Sequence, residues 1–105
     1  INMIRYQTDE NLKEIEKVVN RFLTEKGNGK EVEIDDRSLV ILGAKKEIIK
    51  DQAAFSFVTL NVPLLKIDID ICGNVDESYK SKVFMDVEEL KQYLDNISYE
   101  ELIGI

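Results

Sequence analysis

Histidine and tryptophan are missing from this chain, and cysteine and proline each occur once, as Cys72 and Pro63. Without histidine there is no Ser-His-Asp or Cys-His catalysis and no histidine-ligated zinc. The one side chain whose unperturbed pKa lies near neutrality is lost as well. A single cysteine can close no intramolecular disulfide and build no four-cysteine metal site. It suits a reducing compartment, so a cytoplasmic location is expected. No apolar run approaches the roughly 18 residues that span a bilayer, and the first residues lack the basic-then-apolar order of a secretion signal. Neither membrane insertion nor export is expected. Positive charge is also scarce: 14 Lys and Arg stand against 21 Asp and Glu, a net charge of −7. Nucleic acid is therefore a poor partner, because phosphate recognition needs clustered Lys and Arg. Gly27-Asn28-Gly29-Lys30 follows a helical pattern rather than a strand, so it reads as a turn and not as a phosphate loop. No cofactor is implied.

What remains is an ordinary globular composition, 44% hydrophobic over 105 residues, with no linker or compositional break. A chain of this size builds one core, so residues 1–105 are expected to form a single domain. Leu12, Ile15, Val19, Phe22 and Leu23 recur at helical spacing behind Thr8, a residue suited to capping, and Gly27 offers a left-handed stop. Asp86-Val87-Glu88-Glu89 has capping-box spacing, and Val87, Leu90, Leu94 and Ile97 line one face of a second helix. Ser98 to Glu101 repeats the signature ahead of a last turn that ends at Gly104.

Between the helices the pattern is that of strands. Residues 2–7 suit a short strand or an extended lead-in. Glu31–Ile34 and Leu39–Leu42 read as a hairpin joined by Asp35-Asp36-Arg37-Ser38. Residues 44–52 either continue the second strand past Gly43 or form a turn or two of helix, and the first reading is preferred. Ala54–Val62 and Leu65–Ile71 give two more strands, and Tyr79–Met85 completes a hairpin after the polar loop 73–78. The expected architecture is α+β, a mainly antiparallel sheet of four to six strands flanked by an N-terminal and a C-terminal helix.

Asp68 and Asp70 are the residues most like a divalent-metal site, since alternation puts both on one face of a strand and hard cations prefer carboxylate oxygen. A metal-dependent enzyme built on them is one reading. The plainer one makes Lys66, Asp68 and Asp70 a solvated strand face opposite Lys80 and Lys82. Cys72 ends an apolar strand with no histidine to activate it and reads as a small hydrophobe.

Charge is uneven along the chain: residues 86–105 carry six acidic side chains against Lys91 alone. Helix capping accounts for part of this, but Asp95, Glu100 and Glu101 leave a negative surface able to steer a basic partner, with Tyr99 at its rim. The strands carry a second signal. Leu39–Leu42 is apolar at every position, and Val58, Leu60 and Val62 point away from Phe55 and Phe57. Two apolar sheet faces confront two amphipathic helices, so one face is expected to meet another protein, with Val58, Leu60 and Phe84 assigned to it. The leading expectation is a non-enzymatic protein-binding domain, for example an inhibitor or immunity-type protein that neutralises a basic target. The alternative is an assembly or accessory subunit that self-associates through its sheet, as a homodimer would.

Overall fold

The computed structural model describes residues 7–62, 67–72 and 80–104. It is an α+β fold with the order α1 (Asp9–Glu25), β1 (Leu39–Ile49), β2 (Gln52–Asn61), β3 (Ile67–Cys72), β4 (Lys80–Phe84), α2 (Val87–Asn96) and α3 (Tyr99–Ile103). The strands pair antiparallel in the order β1-β2-β3-β4. All three helices pack on one face of the sheet. α3 lies on β1 and β2, α2 lies on β4 and against α1, and their apolar stripes share one cluster with Val40, Leu42, Val58, Leu60, Ile69 and Phe84.

The helix ends follow local chemistry. Thr8 Oγ1 accepts the Asn11 N–H at 3.2 Å, Asp86 Oδ1 the Glu89 N–H at 2.9 Å and Ser98 Oγ the Glu101 N–H at 3.1 Å, each satisfying an otherwise orphan donor. Glu89 in turn accepts from the Met85 N–H, which closes the first of the two capping boxes one residue upstream of its usual place. Gly104 closes α3 in the left-handed conformation, φ 75°. Gly27 does not close α1 that way: the positive φ belongs to Gly29, at 73°. Gly27 is confined by approach instead, since a β-carbon there would lie 2.9 Å from Leu23 Cα.

Glu31–Ile34 is not a strand, and the hairpin assigned to it does not form. Its backbone groups are taken by side chains of α1. Asn20 accepts the Val32 N–H at 2.8 Å and donates to the Val32 carbonyl at 3.0 Å, and Glu16 accepts the Ile34 N–H at 3.1 Å. Both backbone groups of Val32 and the Ile34 N–H are thereby satisfied without a ladder partner. Asp35–Ser38 is a turn, closed by the Ser38 N–H on the Asp35 carbonyl. The Asp35 carboxylate accepts the Arg37 N–H and the Ser38 hydroxyl, and these bonds, the first above all, hold its pKa below the ordinary 3.8.

The hairpin is β1–β2, and residues 44–49 are strand. Its two-residue turn, Lys50-Asp51, holds both residues at positive φ (50° and 66°), the left-handed pattern that suits the twist of antiparallel strands. A bulge interrupts the register between Ile41 and Gly43. Leu42 and Gly43 are both buried on the helix side, so the alternation changes phase. Before the bulge the odd positions Leu39 and Ile41 face away from the helices; beyond it the even positions Ala44, Lys46 and Ile48 do.

Candidate functional site

The phase change assembles a surface that periodicity alone hides. Leu39, Ile41 and Ile48 of β1 stand on one face with Phe55 and Phe57 of β2, and Val83 of β4 is exposed on the same side. Ile48 is 66% exposed, Phe55 52% and Phe57 36%. The two phenylalanine rings stack with centroids 6.3 Å apart and an interplanar angle of 18°. Among the described residues no helix or loop covers this face. Large apolar side chains seldom stay in water together unless a partner removes them from it.

The open face is the opposite of the one assigned from sequence. Val58, Leu60 and Phe84 are fully buried under the helices, so none of them is available to a partner. The reason is the single-sided placement of α1, α2 and α3, which uses the Val58, Leu60 and Val62 side of β2 as core and leaves Phe55 and Phe57 outside. Thr59, on the open side, is only 9% exposed.

The remaining candidates belong to the helix side. Asp95, Glu100 and Glu101 are exposed, while Tyr99 is partly buried and packs on the core. Its ring lies 6.5 Å from that of Phe22, and its hydroxyl approaches the Leu42 carbonyl at 3.5 Å, at the bulge. The negative surface is less bare than composition implies. Lys26 of the α1 C-cap donates to the carbonyls of Leu94, Asp95 and Ile97 at 3.1, 2.8 and 3.3 Å. That cation closes the C-terminus of α2, where the helix dipole favours positive charge. No sequence spacing links Lys26 to residues about 70 positions away.

Between β4 and the two C-terminal helices lies a shallow cleft of about 660 Å³, bordered by Lys82, Phe84, Tyr93 and Glu101. The Lys82 ammonium sits 4.8 Å from the centroid of Tyr93 and 5.8 Å from that of Phe84. Burial raises the Tyr93 phenol above its ordinary 10.0, and the Glu101 charge adds to the rise.

The strand register does not set Asp68 and Asp70 against lysines. Asp68 pairs with Val83 and Asp70 with Ser81, while Lys82 stands opposite Ile69 and Lys80 opposite Ile71. The cross-strand charge pairing expected there is therefore displaced by one residue; Lys66 lies outside the described residues, as do residues 1–6 and the loop 73–78. Among the described residues no three acidic or cysteine side chains gather as a metal site, and no helix is long and apolar enough to cross a membrane. Comparison with protein-family models, with curated proteins and with solved structures finds no match for this chain.

Proposed function

We propose that the chain is a non-enzymatic protein-binding domain that docks through the open face of its antiparallel sheet. The observation that carries this reading is the stacked pair Phe55 and Phe57, exposed beside Leu39, Ile41 and Ile48 on a face opposite the helices. Full burial of such a side chain from water contributes about 1.5–3 kcal/mol, and these side chains have about a third to two-thirds of that burial still to gain. A reducing, cytoplasmic setting fits the lone cysteine. An apolar dye tests the accessibility of the face at protein concentrations low enough to exclude association. Wild type binds the dye; Phe55→Ser with Phe57→Ser keeps its circular dichroism and loses most of the dye signal. Equal dye binding by both proteins would remove the basis of the proposal.

A second reading, an inhibitor or immunity-type protein for a basic target, is favoured by the exposure of Asp95, Glu100 and Glu101. In that case the helix side steers the encounter through its charge.

A further inference from the structure

We infer that the cleft between β4 and α2 seats an arginine side chain of a basic protein, held by the Tyr93 ring and the carboxylates at the border; this rests on the second reading, capture of a basic target from the helix side, and names its anchor.

Helical spacing builds the cleft. Glu89, Gln92, Tyr93 and Asn96 recur at intervals of three and four, so one face of α2 turns all four toward Lys82 and Phe84 of β4, and Glu101 of α3 joins them. The buried Phe84 ring meets the Tyr93 ring at 5.1 Å and 56°, a tilted pair that holds Tyr93 in place.

That ring already takes a cation. The Lys82 ammonium stands 4.8 Å from the Tyr93 centroid, yet among the described residues no carboxylate pairs with it. The chain's own cation thus fills the aromatic part of the cleft and leaves the acidic part open. Glu89 gives one carboxylate oxygen to the Met85 N–H and Glu101 gives one to the Ser98 hydroxyl, so among the described residues the second oxygen of each is left for another donor. Asn96 donates its amide to the Gln92 carbonyl and keeps its amide oxygen as a further acceptor. Burial and the Glu101 charge both raise the Tyr93 phenol, as fits a poorly solvated ring close to negative charge.

The chemistry favours a guanidinium. One ammonium and two carboxylates border the cleft of a chain with net charge −7, so a cation is drawn in and an anion repelled. A guanidinium is planar and weakly hydrated. It stacks on an aromatic ring while its N–H groups reach carboxylates, two demands of which Lys82 meets only the first. A shallow cleft does not enclose a small free ligand, which needs most of its surface buried. An arginine carried on a partner needs only its tip held, and arginine is enriched among the residues that anchor interfaces. Lys82 is exposed and gives up the ring to the incoming side chain. It therefore sets a threshold that a weaker cation does not pass.

NMR titration with N-acetyl-arginine amide, and with its neutral citrulline analogue, tests the inference. The arginine probe should shift the Tyr93 ring and the side-chain amides of Gln92 and Asn96, and the citrulline probe should not. Lys82→Ala should tighten the arginine probe by about two- to fivefold, the fold-change of one exposed cation–π contact no longer contested. Lys17→Ala removes the same charge from the exposed side of α1 and should leave the affinity nearly unchanged. Tyr93→Leu and Glu101→Gln should each weaken the probe by at least about twofold, and the glutamine keeps an acceptor for the Ser98 hydroxyl. Equal shifts from citrulline, shifts confined to residues outside the cleft, or a Lys82→Ala variant that binds no tighter would each overturn the inference. A hexa-arginine peptide separates the two failures. If it binds around Asp95 and Glu100 while the cleft stays unshifted, the helix side still captures basic targets and the anchor is lost; if it binds nowhere on that side, both fall.

Discussion

Gly43 faces the side chain of Ile103 so closely that a β-carbon on it would overlap Ile103 Cγ2. This contact seats α3 on β1, at the bulge where Leu42 and Gly43 both turn toward the helices. The Tyr99 hydroxyl would stand 3.1 Å from the same β-carbon, so the crowding comes from two residues of one short helix.

Gly43→Ala should therefore displace α3 or distort the bulge, at a cost of about 1–3 kcal/mol, the range for overpacking a filled core. Chemical denaturation measures it. Ile103→Ala in the Gly43→Ala background should recover part of the loss, since it removes the overlapped atom. A double variant no more stable than the sum of the two single changes would show that Ile103 is not the obstacle.

Asn20 stands in for a neighbouring strand, pairing with both backbone groups of Val32. Asn20→Ala leaves two partly buried polar groups without partners and should cost about 2 kcal/mol. Asn20→Asp keeps the acceptor and loses the donor, so it should cost less than the alanine variant. Hydrogen exchange at the Val32 amide reads the loss directly: the alanine variant should exchange much faster than wild type, and unchanged protection would contradict the assignment.

Reversing Glu100 and Glu101 to lysine tests the steering role of the acidic segment. If the chain captures a basic protein from the helix side, the double reversal lowers the association rate at low salt by about tenfold, with a smaller effect at high salt. Stopped-flow mixing with the partner measures the rate. Glu101 also accepts from the Ser98 hydroxyl at 3.1 Å, so Glu100→Lys alone serves as the control that leaves the α3 cap intact. An on-rate insensitive to both variants excludes this surface.

The helices were legible in the sequence because their information is local. Leu12, Ile15, Val19, Phe22 and Leu23 repeat every three to four residues, and Thr8, Asp86 and Ser98 cap the N–H groups three positions on, within reach of any isolated turn. β2, β3 and β4 could be read for the same reason, from apolar and branched residues that favour a pleated chain. The sheet face could not be read this way. Alternation says that Phe55 and Phe57 oppose Val58 and Leu60, but it cannot say which set the helices choose. That choice depends on where three separate helices dock, and here they dock together on the Val58 and Leu60 side. The bulge at Leu42–Gly43 moved Ile48 onto the face of Leu39 and Ile41, and no count of residues from one end of the strand would place it there. Glu31–Ile34 alternates like a strand and is not one; Asn20 and Glu16 of α1 hold the backbone of Val32 and Ile34 instead. Sequence determined which residues are helical and where the helices start; long-range packing decided which apolar face was left for a partner, since that depends on contacts between residues far apart in the chain.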